Sequence, residues 1–183
     1  MSSVHFNLLH STNLANMAPP TLPNGNFGNA QLPGGMNMSG MYVIVNTVTN
    51  NRYIGISNNI LNRFNNRLPT VVELGFDNAT MSRIGVTWGS VEYQHTGVNA
   101  WHTAPANPAT VMIDGVTVDL ERLLIRFVLT QLGAGGTVSN NRQIAPYTNQ
   151  TNNIVVVRLT WGGMGGLFAA GNQIAQWLPN QIW

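Results

Sequence analysis

The stretch from Gly40 to Ser57, GMYVIVNTVTNNRYIGIS, limits what this chain can fold into more than any other segment. Two runs rich in Val, Ile and Tyr, 41–46 and 52–56, flank a patch of Asn and Thr, which is the pattern of a β-hairpin. Two connections fit it. A two-residue turn at Asn50-Asn51 suits asparagine's tolerance of positive φ, and a four-residue loop from Asn46 to Thr49 is the other choice. The first leaves Tyr42 and Tyr53 roughly 20 Å apart along the hairpin, at ~3.4 Å per residue. The second sets them directly opposite on one face, with Cβ atoms about 5 Å apart.

A helix over 58–67 follows, capped by Ser57 or Asn58, with Ile60, Leu61 and Phe64 on its apolar stripe. Pro69 ends it, and Arg63 and Arg67, four apart, share its polar face. SRIGVTWGSVEYQH (82–95) alternates as a strand. Residues 96–116 read as loop apart from a short strand at Thr110 to Ile113. VDLERLLIRFVLTQLG is the strongest helix: Asp119 or Thr117 caps it, Leu120, Leu123, Leu124, Phe127 and Val128 form the buried stripe, and Gly133 stops it. NNIVVVRLTW (152–161) reads as a buried strand, followed by a glycine-rich turn and a weak helix around 166–177.

Residues 1–39, rich in Pro, Gly, Asn and Met, read as an irregular arm. It touches the body through Phe6, Leu8, Leu9 and Phe27, or it joins a delivery module. The expected domain is therefore 40–183. Its class is α/β (α+β), a small, mostly antiparallel central sheet opened by the hairpin and flanked by helices.

Composition narrows the function. A chain of 183 residues with 44% hydrophobic content can bury one core. Only 8% of residues are charged, against ~25% in typical domains, and all eight cations are arginines. A net charge of +2 permits contact with nucleic acid without arguing for it. The absence of cysteine removes disulfides, thiolate metal sites and a cysteine nucleophile. No run approaches the ~18 apolar residues of a membrane span. No basic start followed by an apolar run marks a Sec-type signal, so export, if it occurs, takes another route.

Gly40-Met41-Tyr42, then Tyr53-Ile54-Gly55, then Ser57 and Arg63 resemble the signature of the GIY-YIG nuclease superfamily, with Met41 in place of the central isoleucine. In LERLLIRFV, Glu121 matches the family's metal-binding glutamate on a later helix. Asn140 or Asn141 in TVSNNR matches its terminal asparagine. The resemblance spans about residues 40–141, is specific over 40–63, and favours the four-residue loop, because the family holds its two tyrosines as neighbours.

The resemblance implies metal-dependent hydrolysis of nucleic-acid phosphodiesters, DNA above RNA, with a single Mg²⁺ or Mn²⁺ held by Glu121. A divalent ion on one carboxylate can polarise the scissile phosphate. Arg63 is implied as the fork that steadies growing phosphate charge. Tyr42 is implied as the base, its pKa lowered by neighbouring cations, and Tyr53 as the group orienting water or phosphate. Asn140 completes the implied catalytic set, and Arg67 and Asn59 are implied phosphate contacts. Arg67 stands where many members carry His or Tyr. Without the joint pattern each residue has an ordinary reading: packing tyrosines, a solvated arginine, a first-turn glutamate complementing the helix dipole.

Other signals carry less. His5, His10, His95 and His102 are spaced too irregularly for a zinc site. GGMGG lacks the Lys-Ser/Thr that closes a nucleotide loop, so no nucleotide cofactor is expected. The five tryptophans read as core or edge aromatics. No stretch has the basic density of a separate DNA-reading domain. The lysine-free, charge-poor composition favours a toxin or effector, acting in the cytoplasm of a target cell and neutralised by an acidic immunity partner over Arg63 and Arg67. A compact restriction endonuclease, or an inactive protein-binding module of the same fold, are the alternatives.

Overall fold

The structure, a computed structural model, describes residues 1–13, 38–65, 83–104, 109–131, 138, 145–162 and 171–183. In chain order the elements are β1 (Ser2–Asn13), β2 (Gly40–Asn46), β3 (Arg52–Ser57), α1 (Ile60–Asn65), β4 (Ile84–Gln94) and β5 (His102–Thr103). β6 (Thr110–Ile113), β7 (Val116–Asp119), α2 (Leu120–Gln131), β8 (Val155–Trp161) and β9 (Gly171–Trp177) follow. The main sheet has seven strands in the order β3-β2-β4-β1-β8-β9, with β5 beside β4, and β6 and β7 form a separate hairpin. Among the named strands β1 and β8 pair in parallel and the other pairs are antiparallel, with one isolated parallel bridge between Arg52 and Val138. The fold is thus α+β with a mostly antiparallel, mixed sheet.

The start of the chain is the main correction to the sequence reading. Ser2–Asn13 is no irregular arm but a strand lying between β4 and β8. SVHFNLLH alternates Val4, Phe6 and Leu8, all buried, with half-buried His5 and Asn7, the period of a strand with one face in a core. Proline and glycine accumulate only beyond Asn13, where the chain, including Phe27, lies outside the described residues. Leu9, expected against the body, is exposed at the bulge where the β1–β4 register shifts between Asn7 and His10. A second correction is at the other end: Gly171–Trp177, expected as part of a helix, is a strand on the edge of β8.

The strong helix holds, as Leu120–Gln131, with Asp119 Oδ1 accepting the Arg122 N–H at 2.9 Å as its cap. Its stripe packs on Val4, Phe6 and Leu8 of β1, Met41 and Val43 of β2, Ile54 of β3, and Val155, Val157 and Leu159 of β8. Trp177 and Trp183 stack at 5.6 Å and close one end of this core. Tyr42, Ile44, Val86 and Trp88 are buried outside that cluster. Alternation puts them on the opposite face of the sheet, and α1 adds buried Ile60 and Leu61 there.

The short strand expected at Thr110 to Ile113 is β6, and the rest of the loop expected over 96–116 contains β5 and the turn that leads into β7. The β6–β7 hairpin turns at Asp114-Gly115, both at positive φ (49° and 82°), as a two-residue primed turn requires. The Asp114 carboxylate ties the hairpin to its surroundings. It accepts Thr96 N at 3.0 Å, Thr96 Oγ1 at 2.7 Å and Asn153 Nδ2 at 3.0 Å. Burial alone would raise its pKa, but these bonds outweigh burial and hold it below the usual 3.8. A carboxyl depressed on folding stabilises the fold fully above its unfolded pKa and loses that contribution as pH falls through the folded value. Melting curves between pH 2 and 6 should therefore show an acid limb that Asp114→Asn flattens below about pH 4. Identical slopes in both proteins would remove Asp114 as its source.

Candidate functional site

The β2–β3 hairpin is closed by its asparagines. Asn46 N donates to Asn51 O at 2.9 Å and Asn50 N to Asn46 O at 2.7 Å, so the four-residue loop is Thr47–Asn50, one residue later than expected. Asn46 Oδ1 accepts the Val48 and Thr49 N–H groups at 3.0 and 3.2 Å, an Asx turn that makes Asn46 the last strand residue. Asn50 takes φ 59°, which asparagine tolerates. Asn46 was the signal for this register, since its side chain caps the loop only if the loop begins at Thr47.

The shift has a direct consequence for the tyrosines. Tyr42 pairs with Gly55 and Tyr53 with Ile44, so the two are diagonal neighbours and not directly opposite. A slip of two positions in the pairing preserves the face, and the rings still meet, with centroids 6.3 Å apart and planes at 33°. Gly55 is the reason they can. A Cβ there would run into the Tyr42 ring, meeting Cε1 at 2.7 Å and Cζ and Oη closer still. Tyr42 is 0% exposed, whereas Tyr53 is half-buried. Of the two phenols, Tyr53 is therefore the more accessible to solvent.

Arg63 stands on α1, the helix that continues from β3. Neither expected residue caps α1; Asn59 does, its Oδ1 accepting the Asn62 N–H at 2.9 Å. Ser57 supports the turn before the helix, accepting Asn59 N at 3.1 Å and donating to Asn59 O at 2.8 Å. Ile60 N donates to Met38 O at 2.9 Å, which ties the start of α1 to the chain entering β2. Arg63 is exposed, so its guanidinium is presented to solvent beside the hairpin.

Glu121 sits half-buried in the first turn of α2. That helix covers the face of the sheet away from the tyrosine pair. Among the strands of the main sheet, α2 runs nearest β3, the strand at one end of the order. Glu121 thus stands on the helix that covers the opposite face of the sheet from Tyr42 and Tyr53. Arg67, Asn140 and Asn141 lie outside the described residues. Among the described residues no three His, Cys, Asp or Glu side chains converge. A divalent ion here would rest on one carboxylate completed by oxygen ligands such as water, a set that suits Mg²⁺, which keeps much of its hydration.

The histidines are closer together than their spacing suggested. His95 and His102 have ring centroids 5.5 Å apart, and both lie against Tyr93, at 5.5 and 5.3 Å. His95 Nδ1 accepts the Asp114 N–H at 3.4 Å. The tryptophans follow expectation in part: Trp88, Trp177 and Trp183 are buried, while Trp101 is 49% exposed. No helix among the described residues is long and apolar enough to cross a membrane.

Comparison with known proteins leaves the site to be read on its own geometry: no family model, curated protein or solved structure matches the chain.

Proposed function

We propose that this protein is a metal-dependent endonuclease resembling the GIY-YIG superfamily, cutting DNA in preference to RNA and acting as a bacterial toxin or effector. The observation that carries the reading is the contact of Tyr42 and Tyr53 over a glycine that leaves no space for a side chain. The buried phenol lies against a half-exposed one, and a helix with an exposed arginine follows at once. Tyr53 meets the phosphate or the attacking water, and Tyr42 holds Tyr53 in place from beneath. Arg63 binds the non-bridging phosphate oxygens. Glu121 would hold Mg²⁺ or Mn²⁺, which when bound supplies a positive charge for the scissile phosphate. An acidic immunity partner would cover the Arg63 face.

The full burial of Tyr42 favours a second reading, a binding module of this fold without turnover. One assay separates the two. Folded protein is incubated with supercoiled plasmid and with RNA, with and without Mg²⁺ or Mn²⁺, beside Glu121→Ala. The nuclease reading expects metal-dependent cutting that Glu121→Ala abolishes, smeared for a toxin and in discrete bands for a restriction enzyme. No cutting by folded protein on either substrate supports the binding module.

A further inference from the structure

On the α2 face, away from the tyrosine pair, lies a cavity of about 160 Å³. Its buried floor is aliphatic, formed by Leu8, Val43, Val128 and Leu159. Two polar residues interrupt it. Thr87 is 2% exposed, and among the described residues its hydroxyl has no hydrogen-bond partner. Arg52 is half-buried at the rim. Among the described residues its guanidinium makes one hydrogen bond, from Nη1 to Asn50 O at 3.1 Å. No carboxylate among the described residues pairs with it, and burial lowers its pKa from the usual 12.5. Trp161 forms the rest of the rim. It lies across from Gly171 in the β8–β9 ladder, where any Cβ would collide with the indole ring, so the ring position is set by the sheet.

A buried hydroxyl without a partner is destabilising, and a half-buried arginine without a counter-ion adds to the cost. Both are relieved by one kind of guest. A cavity of ~150 Å³ with aliphatic and aromatic walls is large enough for benzene, so the floor takes a body of that size. A guanidinium fork prefers a carboxylate. We propose that this cavity is a binding site for a small apolar monocarboxylate, its body on the aliphatic floor and its carboxylate between Arg52 and the Thr87 hydroxyl.

Benzoate, benzyl alcohol and benzylamine are titrated calorimetrically into the full chain, and melting temperatures are recorded with and without each. Benzoate should bind saturably at one site per chain, with benzyl alcohol about tenfold or more weaker and benzylamine weakest. Arg52→Gln should weaken benzoate by a similar factor and leave benzyl alcohol unchanged. Thr87→Val should raise the melting temperature of the free protein, because it removes the orphaned hydroxyl, and should shrink the rise caused by benzoate. Equal binding of benzoate and benzyl alcohol, unaffected by Arg52→Gln, would make this a plain apolar void. Absence of saturable binding by benzoate would also overturn the site. Neither result bears on nucleic-acid cleavage.

Discussion

Gly89→Ala should lower the melting temperature by about 6–12 °C, the equivalent of ~3 kcal/mol in a domain of this size. Gly89 lies in β4 where three backbones crowd together. A Cβ there would strike the carbonyl oxygen of Asn7, with Asn7 C and Leu8 Cα each 2.9 Å away. Those atoms belong to the bulge in β1, between Asn7 and His10. On the other flank, a Cβ at Gly40 would strike the Gly89 carbonyl oxygen, and Gly40 itself takes φ 152°. Every obstructing atom is backbone, so no rotamer change can make room. The strands involved are β1, β4 and β2, which run together through the middle of the sheet, and displacing one displaces the core on both faces. Thermal unfolding followed by far-UV circular dichroism checks it. A melting temperature within about 2 °C of the parent would mean that the bulge yields and that this crossing is not a fixed point of the fold.

Arg63→Ala should reduce nucleic-acid cleavage by about 10²–10³-fold, the usual loss when a donor aimed at developing charge is removed. Stability should not change, because Arg63 is exposed, and surface substitutions usually stay within about 0.5 kcal/mol. Arg63→Lys should recover only part of the rate, since an ammonium keeps the charge but not the planar fork. Single-turnover rates on a labelled duplex, with melting temperatures in parallel, separate this from damage to α1. If the parent cuts and the alanine variant cuts at the same rate, Arg63 has no part in phosphate binding, and the catalytic assignment at the hairpin fails.

The local elements were legible where one physical signal dominated. Leu120, Leu123, Leu124, Phe127 and Val128 recur at helical spacing behind an aspartate, and α2 forms with that cap. Val, Ile and Tyr on either side of an asparagine patch make the β2–β3 hairpin. The loop position was harder, because five candidate residues could turn there and only the Asn46 side chain, bonded to Val48 and Thr49, chooses among them. Asp114-Gly115 carried a hairpin signal that the surrounding loop-like composition obscured.

The site divides in the same way. That Tyr42 and Tyr53 share a face followed from parity, which survives a two-residue slip, and Gly55 in the motif had its reason in the ring above it. Which of the two phenols is accessible depends on what covers the sheet. The cavity walled by Leu8, Val43, Thr87, Val128 and Leu159 draws on β1, β2, β4, α2 and β8, so no single stretch of sequence announces it.

From the sequence alone came the hairpin, the long helix and the pairing of two tyrosines on one side of a sheet, because each depends on residues within a turn or a strand of one another. Tertiary structure alone decided that Ser2–Asn13 enters the middle of the sheet and that Gly171–Trp177 is a strand. It also decided that α2, with Glu121, lies across the face opposite Tyr42. The first two rest on ladders that set Ser2 beside Val155 and Val155 beside Trp177. The third rests on which apolar face the helix stripe finds. Partners so distant along the chain contribute nothing to local propensity, and their hydrogen bonds and buried surface outweigh it only once the sheet has assembled.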